Sequence, residues 1–160
     1  GSFGGFGVSV AYVNDGSGGS SDSSMVITYD GLMDGLQLGY GQGEDSVDLD
    51  LETFFVKYTV GGITAAFQRS DLNAAGVSSD EESDALGVSF AINENLSVSY
   101  GTHDVDFGAA NKADEESSGV SASYTMGSMT ITGISNSTDN VAGSDASNDA
   151  YREVTIAFAF

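Results

Sequence analysis

A small set of side chains in this sequence could carry chemistry. His103 and Asp104 form the only histidine-bearing pair in the 160 residues. A histidine beside a carboxylate can take a proton from water when a second acidic pair, for which Asp71 and Asp84 are candidates, converges on it across a cleft. Asp48-Leu-Asp50-Leu-Glu52 and Asp104-Val-Asp106 set carboxylates at alternate positions. This is a weak calcium pattern, because neither run has the glycine and closing glutamate of an EF-hand loop. Lys57 is a lone cation in mid-segment, and Glu153 is an acid of the same kind near the end of the chain. Asn95-Leu-Ser97 and Asn136-Ser-Thr138 match the glycosylation acceptor and read as chance matches. No glycine cluster opens a helical pattern, so phosphate and dinucleotide loops are excluded.

Composition narrows the field further. The chain has no Pro, Cys or Trp, 22 Gly, and 24 acids against 4 bases, for a formal net charge of −20. An excess of carboxylates repels a phosphate backbone, so nucleic acid is not a partner. Without cysteine there are neither disulfides nor thiolate metal sites. Forty per cent of the residues are hydrophobic, yet no apolar run reaches the length of a membrane helix.

The elements that must position these residues are strands. Apolar side chains recur at every second position in ten segments: 4–13, 24–30, 36–42, 52–60, 63–70, 85–92, 96–102, 119–126, 129–135 and 151–160. Period two marks a sheet with one apolar face. The last segment, Tyr151-Arg-Glu-Val-Thr-Ile-Ala-Phe-Ala-Phe160, carries Val154, Ile156, Phe158 and Phe160 on that face. Short Gly- or Asn-rich turns alternate with long polar connections, which in a meander collects all long loops at one end of the sheet. Twenty of the 24 acids fall in or at the edge of those long connections. Only Arg69 and Arg152 are expected to share parity with the apolar side chains, both near loop-side strand ends.

Aromatic residues divide between the two ends of the apolar face. Tyr12, Tyr40, Phe67 and Tyr100 lie towards the loops, and Tyr29, Tyr58, Phe90, Tyr124, Phe158 and Phe160 towards the turns. Two aromatic girdles flanking an aliphatic band are the pattern of a transmembrane β-barrel, with short turns on one side of the membrane and long loops on the other. The expected fold is therefore an all-β, antiparallel barrel with ten strands present, and residues 1–160 form one barrel region. The opposite face is small and polar and would line a water-filled lumen. Gln37, Lys57, Thr59, Gln68, Ser99 and Glu153 are the candidate lining residues, with Lys57 shaping the field across the pore. Phe55 and Ile134 break the pattern by pointing inward.

Several short pieces resemble a known family. The opening Ser2-Phe-Gly-Gly-Phe-Gly-Val-Ser-Val-Ala-Tyr12, the recurring Gly87-Val-Ser-Phe90 and Gly119-Val-Ser-Ala-Ser-Tyr124, and the closing Val154-Thr-Ile-Ala-Phe-Ala-Phe160 are similar to the C-terminal part of an alphaproteobacterial general porin. That resemblance implies a diffusion channel for small hydrophilic solutes and ions in the bacterial outer membrane, built as a sixteen-stranded homotrimeric barrel. The ten strands here would be the C-terminal part of such a barrel, or else a separate ten-stranded barrel. Lipid, lipopolysaccharide and the outer-membrane assembly machinery are then the partners, and Ile156, Phe158 and Phe160 carry the assembly signal. No cofactor is implied, apart from calcium that the loops could bind. Two alternatives remain open. One is an acidic secreted β-sandwich, an adhesin or binding module, with Val56, Val88 and Val98 buried between sheets. The other is a ten-stranded outer-membrane protease using His103 and Asp104.

Overall fold

The computed structural model describes residues 2–14, 21–44, 49–74 and 80–159. The strands are β1 (Ser2–Phe3), β2 (Phe6–Val13), β3 (Asp22–Tyr29), β4 (Leu36–Glu44), β5 (Leu49–Val60), β6 (Ile63–Ala74), β7 (Glu81–Ala91), β8 (Leu96–Asp106), β9 (Glu115–Met126), β10 (Met129–Asp139) and β11 (Asp149–Phe158). Each pairs antiparallel with its neighbours in sequence, giving one meandering sheet in the order β1 to β11. A 3₁₀ turn, Val141–Gly143, interrupts the β10–β11 connection.

The ten expected segments are all present, with two differences. The first was expected to start at residue 4, but Gly4 and Gly5 both have positive φ. They form a two-residue hairpin that sets Phe3 opposite Phe6, a conformation open to glycine. The second difference is length. The segment expected at 52–60 runs from Leu49, that at 119–126 from Glu115, and that at 129–135 to Asp139. Backbone pairing continues past the point where side-chain alternation stops, because ladder hydrogen bonds do not depend on an apolar face.

No hydrophobic side chain among the described residues is buried. Val88 is 41% exposed and Val98 37%. A sandwich would bury both between two sheets, so the sandwich expectation is overturned: the described residues form one sheet, and none of them packs against its apolar face.

That apolar face is a slanted band. The directly opposed residues Ile27, Tyr40, Phe54, Arg69, Asp84, Asp104 and Glu116 form one row across β3 to β9. The row starts apolar and ends charged. The last apolar residue towards the loops lies above this row on β2 (Tyr12) and β3 (Met25), on it at Tyr40 and Phe54, and progressively below it at Phe67, Leu86, Tyr100, Val120 and Val154. The turn-side edge descends in parallel, from Phe6 on β2 to Phe158 on β11. The drop is about one residue per strand. At roughly 3.3 Å per residue and 4.8 Å between strands, a level band requires strands tilted by about 35°. Transmembrane barrels tilt their strands by this amount.

The loop-side extensions correct the charge expectation. Above the band, the same outward parity carries Asp50, Glu52, Asp71, Glu82, Asp84, Asp104, Asp106, Glu116 and Asp139 as well as Arg69. The outer face is apolar where it is level with the band and acidic directly above it. Among the described residues the sheet is open, with β11 at one edge and β1–β2 at the other.

Candidate pore wall

Period two sends the other half of the side chains to the polar face. Its construction is repetitive. Hydroxyls on adjacent strands face one another and bond directly: Thr53 with Ser70 (2.9 Å), Thr59 with Thr64 (3.0 Å), Ser99 with Ser121 (2.8 Å), Ser117 with Thr138 (2.9 Å), Ser123 with Thr132 (3.1 Å) and Thr125 with Thr130 (3.1 Å). Each pair satisfies one donor and leaves acceptor lone pairs for water. These pairs make uncharged stretches of short side chains that can hydrogen-bond to water.

The six candidate lining residues all lie on this face. Gln37 and Lys57 stand directly opposite each other on β4 and β5. Thr59, Ser99 and Glu153 fall on one continuous row, which runs Thr59, Thr64, Ser89, Ser99, Ser121, Ile134, Glu153. Gln68 donates to Ser70 at 3.2 Å, and Glu153 accepts from the Thr155 hydroxyl. The row through Lys57 continues as Ala66, Gly87, Gly101 and Gly119. The wall beside Lys57 is therefore almost bare of side chains. The inward exception Phe55 has a role here: its ring lies across Gly39, where a Cβ would come within 2.0 Å of Cε1. Only glycine leaves that space.

Inward acids at the loop end were not among the candidates. Asp22, Glu81, Glu115 and Asp149 share the polar parity once β3, β7, β9 and β11 are extended. Continuing the period-two count past the last apolar residue would have found them. With Glu153 they give this face five strand-borne carboxylates against one ammonium, Lys57.

The catalytic candidates do not assemble. His103 and Asp104 are consecutive in β8, so their side chains leave the sheet on opposite faces, His103 inward opposite Ala85 and Asp104 outward opposite Asp84. Asp71 is also outward, and Asp84 is held by Arg69, whose Nε donates to Oδ1 at 2.8 Å. This contact holds the Asp84 carboxyl below the usual carboxylate range. Glu82 approaches the same guanidinium at 3.2 Å. Of the calcium candidates, Asp48 lies outside the described residues. Asp50, Asp104 and Asp106 are on the outer face, and Asp106 Oδ1 is occupied by the Gly108 amide at 2.7 Å. Among the described residues no group of three or more acidic or histidine side chains gathers to hold a metal. Ile156 and Phe158 sit on the turn side of the outer face, opposite Ile131 and Met129; Phe160 lies outside the described residues.

Two long connections interlock at the loop end. Lys112 Nζ stacks 4.2 Å over the Phe107 ring and donates to the Ala142 carbonyl at 3.2 Å. The Ala142 amide donates to Glu115 Oε2 at 2.7 Å, and Asn140 Nδ2 to the Asp114 carbonyl at 3.0 Å. Gly143 is buried beneath Lys112 with a positive φ of 72°.

A slanted apolar band, an opposed hydroxyl wall and a loop end rich in carboxylates define a membrane β-sheet of barrel type. The Gram-negative porin family model matches residues 1–144, and the chain belongs to that family. This membership places it in the bacterial outer membrane. Among solved structures it is similar to an anion-selective porin from Comamonas acidovorans, with a TM-score of 0.75 and 14% sequence identity. The match covers 100% of this chain and 57% of that one, so the chain spans little more than half the length of its structural relative. At that identity the likeness bears on the fold. No curated protein matches the sequence.

Proposed function

We propose that the polar face is the wall of a water-filled channel through which small hydrophilic solutes and ions diffuse passively across the outer membrane, without chemistry or energy input. The observation that carries this reading is the division of one sheet into a hydroxyl-lined face and a tilted apolar band that no described residue covers. The sheet forms the larger part of a barrel completed by further strands. Its two open edges and its 57% coverage of the related porin support this. Liposomes carrying the complete protein should swell in isotonic solutions of uncharged sugars, fast for small sugars and slowly for large ones. Absence of swelling with a correctly inserted barrel would remove the channel reading.

The channel prefers cations. Carboxylates outnumber ammonium groups on the inner face, and their potential reaches over about 10 Å at 0.1 M salt. The related porin is described as anion-selective, so selectivity differs between the two. The assembly is a homotrimer, a reading that rests on family resemblance and that mass determination in mild detergent would test. Lipopolysaccharide contacts the outer face, and the assembly machinery reads Ile156, Phe158 and Phe160.

A further inference from the structure

We infer that Phe55 and the polar side chains around it form a weak subsite for one pyranose unit of a neutral sugar on the inner wall. Phe55 interrupts a run of hydroxyl pairs: Thr53 with Ser70 on its loop side, and Thr59 with Thr64 on its turn side. It stands between Gly39 on β4 and Gln68 on β6. All three strands have both neighbours in the sheet, so the patch lies away from the open edges. Three consecutive ring atoms, Cδ1, Cε1 and Cζ, crowd the place that a Cβ on Gly39 would take. The ring therefore lies with one face on the glycine. Gly39 is buried beneath it, and Phe55 is half-buried. The other ring face is turned to the lumen.

Polar groups border that face. Lys57 follows Phe55 on the same side of β5, and Gln37 stands opposite Lys57 on β4. Gln68 uses one amide hydrogen on Ser70 at 3.2 Å, which leaves a second hydrogen and the carbonyl oxygen. The cation–π contact among the described residues is Lys112 on Phe107, so Lys57 does not cover the Phe55 ring. Beyond Lys57 the row continues as Ala66 and Gly87, and this flank is uncrowded. The chemistry of the patch selects a sugar. The negative face of an aromatic ring attracts the weakly positive C–H groups of a pyranose. Amides donate and accept, as sugar hydroxyls do, and the ammonium adds donors. The side chains are spaced by about 7 Å along a strand and about 5 Å across it, the span of one pyranose. An apolar ligand would leave the amides and the ammonium unpaired.

This inference rests on the polar face being a channel wall, and the test separates the two. The complete protein is inserted in a planar bilayer, and its potassium chloride conductance is measured as maltotriose is added, with poly(ethylene glycol) of equal hydrodynamic size as the comparison. Maltotriose should reduce the conductance with saturation, and the polyether without it. Phe55→Leu keeps an apolar side chain of similar bulk but has no ring, and should raise the half-saturating concentration about tenfold. Phe55→Tyr should retain the parent value. Gln68→Ala should raise it about fivefold, the loss of one hydrogen bond. Normal conductance without saturation by maltotriose would overturn the subsite and leave the channel standing. The same half-saturating concentration in Phe55→Leu as in the parent would also overturn it. Absence of conductance from a correctly inserted barrel would remove both the channel and the subsite.

Discussion

Arg69 and Asp84 stand directly opposite each other on β6 and β7, and the guanidinium holds the carboxylate through both Nε and Nη2. They are the first outward pair above Phe67 and Leu86, the last outward apolar residues of their strands. The pair therefore marks the level at which the outer face passes from lipid to headgroups and water.

A pH dependence follows from this pair. The Arg69 hydrogen bond lowers the Asp84 carboxyl in the folded state. Its stabilising contribution is complete above the ordinary aspartate value of about 4 and is lost as the pH falls through the lowered folded value. Asp84→Asn should lower barrel stability at neutral pH and flatten its dependence on pH below about 4. Thermal unfolding followed by circular dichroism across that range checks this. An unchanged acid profile would show that the pair contributes nothing. The effect is small, because both groups are partly exposed.

Truncating the turn-side aromatic of β11 should act on stability and assembly rather than permeation. Phe158→Ala removes a lipid-facing ring, costing roughly 1.5–3 kcal/mol if the ring is fully buried in the bilayer. Removing Phe160 should reduce the yield of heat-resistant barrel in the outer membrane. Surviving channels should conduct normally in both cases. Altered ion selectivity with normal assembly would instead place the terminus in the lumen.

Gly39 and Phe55 should be coupled. A methyl at position 39 lands on the Phe55 ring, so Gly39→Ala forces the ring off the wall and into the lumen. Single-channel conductance should fall in Gly39→Ala and recover in the double variant with Phe55→Ala. A double variant no better than Gly39→Ala would show that the defect lies in the backbone.

Selectivity should follow the two mid-strand charges of the inner wall. In a salt gradient across a planar bilayer, the reversal potential of the complete protein should indicate cation preference. Lys57→Glu should strengthen that preference, and Glu153→Gln should weaken it. Anion preference in the unaltered protein would refute the charge argument.

Most of this architecture was legible in the sequence, because alternation is a local signal. The parity of Phe54, Val56, Tyr58 and Val60 decides which face each neighbour takes, and the polar-face positions of the six candidate residues followed from it. Alternation could not show where the strands stop. Leu49 to Leu51 and Glu115 to Ser118 have no apolar–polar contrast in the expected sense, yet they remain paired. The sequence places the acids of such extensions in loops, whereas Asp50, Asp84 and Asp104 form an outward belt and Glu81 and Glu115 turn inward. Register was also hidden. The slant of the band depends on which residues oppose each other across strands, and no single segment records that. His103 and Asp104 show the converse case: adjacency suggested a pair, and strand geometry separates them.

The most direct test of the account uses the absence of cysteine from the chain. Single cysteines placed at Gln68 and Ser99 on the polar face, and at Val88 and Val98 on the apolar face, report which side meets water. The complete protein in lipid bilayers should be labelled by a charged, water-soluble thiol reagent at 68 and 99, with a fall in conductance on reaction. Positions 88 and 98 should remain unlabelled until the bilayer is replaced by a denaturant. Rapid labelling at 88 and 98 with protection at 68 and 99 would contradict the assignment of the two faces, and with it the channel.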